Sequence, residues 1–176
     1  MIRALGRLMR RRRAGPEHSV REDDRFVMVT TTLDLRSDAF ADGGELPADA
    51  SPPLSWTGVP EGTQTLVLIV EDVDVPLPRP FTHAVVYAID PARTAFAPGE
   101  LAAAGDDYAL GFNGYRRAAY LGPHPLPGHG PHRYVFTMLA VSFRPHFDQP
   151  PSRGRVLDAI AGHVLALGEL TAIREG

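Results

Sequence analysis

Three stretches of this chain are apolar on both faces of an extended backbone: "TLVLIVED" (65–72), "THAVVYAI" (82–89) and "RYVFTMLAV" (133–141). A strand of that kind needs cover on both sides, so it belongs inside a sheet flanked on two faces or in a sandwich. The connections are rich in proline and glycine. "GVPEGT" reads as a tight turn, and "VPLPRP" and "GPHPLPGHGP" as rigid surface loops. No βαβ rhythm repeats along the chain, so a doubly wound nucleotide-binding fold is not expected. The pattern predicts a mostly β chain of the α+β class.

Two further stretches read as strands: "FVMVTTTL" (26–33), and "PPLSWTG" (52–58), an edge-like piece opened by two prolines. Trp56 reads as an inter-sheet core residue, and Met28, Phe136 and Met138 as core. One long helix is predicted near the end, in "PPSRGRVLDAIAGHVLALGEL". Ser152 is its N-cap, Val156, Ile160, Val164 and Leu167 fall at helical spacing, and Gly168 terminates it. At the other end, Ile2, Leu5, Leu8 and Met9 predict a short amphipathic helix over residues 2–12. That helix is expected to dock on the body or on a second subunit, as in a homodimer; a frayed basic tail and an anionic-membrane contact are the alternatives. Residues 1–20 thus form a basic N-terminal helix or tail, and residues 21–176 one domain.

Charge and composition exclude several kinds of function. Six arginines fall in the first thirteen residues while the whole chain of 176 carries a formal −3, so the remainder carries about −9. So acidic a body argues against a nucleic-acid groove. There is no cysteine, hence no disulfide, thiolate nucleophile or Cys-based zinc site; there is no lysine, hence no Schiff base and no P-loop lysine. No run is long enough to span a bilayer, and the N-terminus lacks the apolar core of a signal peptide. A cytoplasmic location is the expectation.

The chemistry gathers at strand ends beside the Pro-rich loops. Asp72 shares a face with Leu66, Leu68 and Val70; His83 shares parity with Val85 and Tyr87; His132, Tyr134, Phe136 and Met138 alternate on one face. His132 and Tyr134 lie about 7 Å apart along their strand. If the three ends are neighbours, a carboxylate, two imidazoles and a phenol meet at one mouth, where N–H and O–H donors suit a phosphate. Asp72 is then expected to accept from His83 and favour its charged form. Gly128 and Gly130 are expected to let backbone approach a ligand. Asp74 reads as a turn residue capping local N–H groups, and His124 and His129 as exposed loop residues.

"DVDVP", then "FTHAVVYAI", then "GPHPLPGHGPHRYVF" resemble the two signature blocks of the phosphatidylethanolamine-binding protein family, bacterial branch, and "SPPLSWTGVPEGTQTLVLIVED" matches the run into the first. The resemblance covers about residues 26–145. It implies an antiparallel β-sandwich with few helices and no cofactor. It also implies an anion pocket built from Asp72, His83, Gly122, Pro125, His132 and Tyr134. The ligand would be a phosphate-bearing small molecule or phospholipid headgroup, bound without catalysis, with a kinase or protease as a protein partner to be inhibited. Val73, Val75 and Leu126 depart from the family's usual Pro, Ala and Pro. The competing reading is a metal-assisted hydrolase with Asp72, His83, His129 and His132 as ligands. Ser-His-Asp hydrolysis is disfavoured, since no Gly-x-Ser-x-Gly elbow occurs.

Overall fold

A computed structural model describes residues 2–47 and 50–176. Among these, nine strands form two sheets: β1 (Asp34–Arg36), β2 (Gly44–Glu45), β3 (Leu54–Thr57), β4 (Thr65–Asp72), β5 (Phe81–Ile89), β6 (Ala95–Phe96), β7 (Ala109–Gly111), β8 (Pro131–Val141) and β9 (Val164–Glu175). The helices are α1 (Ile2–Met9) and α2 (Arg153–Ile160). The large sheet runs β2-β9-β8-β4-β5-β7 and the small one β1-β3-β6. Every pairing is antiparallel except the short parallel contact of β2 with β9.

The doubly apolar strands are explained by a layer on each face of the large sheet. On one face Leu66, Leu68, Val70, Phe136 and Met138 pack against Leu35, Leu54, Trp56 and Phe96 of the small sheet. On the other, Val67, Ile69, Val85, Leu139 and Val141 lie beneath Val156, Leu157 and Ile160 of α2, with Val20 and Phe26 beside them. All eight residues of β4 are buried as a result. Trp56 is the inter-sheet core residue its pattern predicts.

Three expectations are corrected. Residues 26–33 are turns and irregular chain, with one bridge from Thr32 to Leu167. Phe26 plugs the α2 layer, but Val27 and Met28 are exposed, so Met28 is not core. The "LSW" piece is the middle strand of its sheet, not an edge. The C-terminal helix is half the expected length: Ser152 caps it, accepting from the Arg155 N–H, but it stops at Ile160. Beyond Gly162, whose φ is 78°, the chain becomes β9 and pairs with β8 along its whole length.

Gly168 is therefore a mid-strand residue opposite Met138, not a helix terminator. A Cβ there would stand 2.3 Å from the Leu33 carbonyl oxygen, so glycine is what lets residues 31–33 cross β9.

Candidate functional site

The predicted convergence exists. Asp72, the last residue of β4, sits directly across the ladder from Tyr134 on β8. His132, two residues earlier on the same face, donates its Nδ1–H to Asp72 Oδ2 at 2.7 Å. His83 reaches the cluster by another route. Val70 pairs with Ala84 and Glu71 with Thr82, which leaves His83 as the extra residue of a β-bulge. Plain alternation would have turned it to the α2 face with Val85. The bulge re-aims it, and its ring meets that of Tyr134 edge-on with centroids 5.1 Å apart.

Asp72 pairs with His132 and not with His83, contrary to expectation. Its second oxygen, Oδ1, accepts the Asp74 backbone N–H at 2.9 Å. His83 Nδ1 donates to the Leu121 carbonyl at 2.8 Å, and burial holds its pKa below the ordinary imidazole value. The residue is thus kept neutral, its Nδ1 carrying the hydrogen and its Nε2 a lone pair. Burial, and then the neighbouring Asp72 charge, push the Tyr134 phenol far above the usual tyrosine range. Its hydroxyl is buried without a hydrogen bond of good geometry among the described residues.

Gly122 follows the carbonyl that holds His83, and its own carbonyl bonds His124 Nδ1 at 2.9 Å. Pro125 is half-buried on the same loop, and no hydrogen bond or ring contact ties it to the cluster. His124 is exposed, as expected; His129 is not, being only 1 % exposed. Its Nδ1 lies 2.8 Å from His132 Nε2, and its Nε2 lies 3.0 Å from the carbonyl oxygens of both Met9 and Arg12. Asp74 does more than cap a turn. It is buried, and its carboxylate takes the backbone N–H and guanidinium of Arg133 and the guanidinium of Arg13. Burial opposes that charge, yet those bonds outweigh it and bring the carboxyl to about 2.

Asp72, His83, His132 and Tyr134 are each at most 4 % exposed, so the mouth is closed. The N-terminal segment packs beside it, on the Gly-Pro loop and on His129. α1 lies on the Gly-Pro loop of its own chain, and Gly6 is its one buried residue. A Cβ at Gly6 would be 2.2 Å from Pro127 O, and one at Gly128 would be 2.6 Å from Arg3 O. Gly128 thus lets the helix, and not a free ligand, come close. The apolar spacing of residues 2–12 predicts docking on the body, but by the wrong face: Ile2, Leu5 and Leu8 are exposed and Gly6 makes the contact.

Among the described residues no three His, Asp or Glu side chains are grouped so as to hold a metal ion. His129 and His132 are instead turned toward each other. A cavity of about 610 Å³ opens beside Glu71, Arg79 and Arg153, away from these four residues. No helix among the described residues is long and apolar enough to cross a membrane.

The family model described as phosphatidylethanolamine-binding protein matches residues 36–175. The chain is 33 % identical over 150 residues to a UPF0098 protein of Methanothermobacter thermautotrophicus, covering 80 % of this chain and 97 % of that one. Among solved structures, a putative phosphatidylethanolamine-binding protein homologue from Chlamydia trachomatis superposes with a TM-score of 0.74 at 30 % identity. That match covers 84 % of this chain and 99 % of the other. The Escherichia coli protein YbcL, at 24 % identity, shares the fold with a TM-score of 0.73, over 83 % of this chain and 99 % of its own.

Proposed function

The chain belongs to the phosphatidylethanolamine-binding protein family, and from that premise we propose that it is a non-enzymatic binding protein whose ligand carries a phosphate group. The ligand is a phosphorylated small molecule or a phospholipid headgroup, taken at the cluster of Asp72, His83, His132 and Tyr134. The Gly122–Pro125 loop forms the rim. The observation that carries this reading is the Tyr134 hydroxyl, buried beside the Asp72 carboxylate without a hydrogen bond of good geometry. Such a group costs about 1–3 kcal/mol when left unpaired, and an anion oxygen supplies what it lacks. The Nε2 of neutral His83 carries a lone pair and becomes a donor only when the ligand brings a proton, while the proton shared by His132 and His129 is a donor on the same side. Asp72 holds the His132 ring in place through Nδ1, which directs Nε2 outward once His129 moves aside.

Isothermal calorimetry with inorganic phosphate and with phosphoethanolamine tests it. The open site is expected to bind both, with an intrinsic affinity that falls as pH rises because the imidazoles lose protons. His132→Ala removes a charge-assisted bond worth about 1–3 kcal/mol, a loss of about five- to 150-fold in affinity. Equal heats for wild type and this variant would overturn the assignment. Binding of phosphoethanolamine but not of phosphate would favour the headgroup.

A further inference from the structure

The family match begins at residue 36, yet residues 2–13 lie on the loop beside the mouth and bond to His129, the partner of His132. We propose that this N-terminal segment is an intramolecular ligand of the site, a strap that competes with the phosphate and is held down by a proton shared between His129 and His132. The proposal rests on the anion-pocket reading above and adds its regulation.

The strap is fastened at several points. Arg10 Nε donates to Gly128 O at 2.9 Å, and Arg13 Nη1 donates to Pro131 O at 2.9 Å while pairing with Asp74 at 2.8 Å. Ala14 and Gly15 donate backbone N–H bonds to Val75 and Val73, each at 2.9 Å. The paired glycines, Gly6 and Gly128, allow backbone contact that no other residue would permit.

The proton follows from counting. Three hydrogen bonds run in series through four ring nitrogens: Asp72 to His132, His132 to His129, and His129 to the carbonyls of Met9 and Arg12. A carbonyl can only accept, so His129 Nε2 must carry hydrogen. The bond between the rings needs one hydrogen and the bond to Asp72 another. The series therefore holds one proton more than a carboxylate with two neutral imidazoles, wherever along it that proton resides. The Met9 carbonyl closes the C-terminal end of α1, where partial negative charge gathers.

The groups facing the pair are Asp72 from β4, His83 from β5 and Tyr134 from β8. Arg174 stands opposite His132 on β9, and Arg10 and Arg13 come from the strap. Two of the nearby cations are already engaged: Arg13 is neutralised by Asp74, and Arg174 donates to Leu46 O. The Gly176 N–H bonds Gly130 O, which brings the C-terminal residue to the same loop. Removing the proton leaves one of the three bonds without its hydrogen, either between the two rings or at the carbonyls, and the strap is the one partner there free to leave. Docking takes up a proton, so it weakens as pH rises.

The absence of cysteine makes the test direct. A spin label on Leu8→Cys, whose native side chain is 83 % exposed, reports the mobility of α1 in the full chain. The expected spectrum is immobilised near pH ~5.5 and mobile near pH ~8.5, either side of the usual histidine range. Gly6→Leu, which cannot dock, is expected to be mobile at both, and Arg13→Ala to be released at a lower pH than wild type. If the strap is docked in about 90 % of molecules, inorganic phosphate binds Gly6→Leu about tenfold more tightly than wild type, and the advantage fades at the higher pH. Added phosphate should also mobilise the wild-type label. A label insensitive to pH, or equal phosphate affinity in wild type and Gly6→Leu, overturns the strap. If neither protein binds phosphate while the label still follows pH, the anion pocket fails and the proton-held docking stands.

Discussion

At the scale of single residues, Tyr134 and His83 are unlike in origin although their rings touch. Tyr134 follows the two-residue period of β8 onto the inner face, so its place was readable from "HRYVFTM". Its hydroxyl gives a sharp prediction. Tyr134→Phe removes a buried hydroxyl whose neighbouring acceptor, Asp72, is poorly placed, so urea denaturation should find stability changed by no more than about 1 kcal/mol. Calorimetry should find phosphate binding weakened about three- to tenfold. A variant that is destabilised and binds as before would contradict the role given to that hydroxyl. His83 was readable as a candidate from its place at a strand end, and the first signature block reinforced it. Simple alternation assigns it to the wrong face, because a bulge is set by how β4 and β5 register and not by the local order of apolar residues.

Among the elements, β9 departs most from its pattern. "VLALGELTAI" continues the helical spacing of α2, and Ala, Leu and Glu are good helix formers. The long apolar β8 needs a second partner, however, and β9 supplies it along eleven paired positions. That ladder and the burial of Ala166, Leu167 and Leu170 outweigh a propensity worth tenths of a kcal/mol per residue. Gly168→Ala tests the strand assignment. A methyl 2.3 Å from a backbone carbonyl forces β9 away from residues 31–33, so the midpoint in urea should fall by the equivalent of about 2–4 kcal/mol. In a helix the same change would stabilise by about 1 kcal/mol, so the sign alone decides. α1 obeys its pattern in forming, but Ile2, Leu5 and Leu8 point to solvent; a glycine makes the contact that matters.

Over the whole molecule, acid stability collects these local arrangements. His83 is buried neutral with a lowered pKa, so its contribution is present above the unfolded value of about 6.5 and is lost as pH falls below it. Asp74, held at about 2 instead of 3.8, contributes roughly 2–3 kcal/mol that is present above its unfolded pKa and lost as pH falls toward 2. Asp74→Asn should therefore lower the melting temperature by several degrees at neutral pH, with the difference closing below about pH 2.5. Equal melting curves at pH 7 would show that the Arg13 and Arg133 contacts carry no net stability.

The amino-acid order by itself determined the sandwiched sheet, the inner face bearing Asp72, His132 and Tyr134, and the N-cap at Ser152. Each is a consequence of local period and local chemistry, which a linear pattern contains. Only the tertiary structure decided the partner of Asp72, the turning of His83, the conversion of residues 164–175 to strand and the face by which residues 2–13 dock beside the mouth. These depend on segments brought together from a distance, 60 positions for Asp72 and His132 and 120 for Met9 and His129, competing for the same hydrogen bonds and the same space. No local pattern records which of them wins.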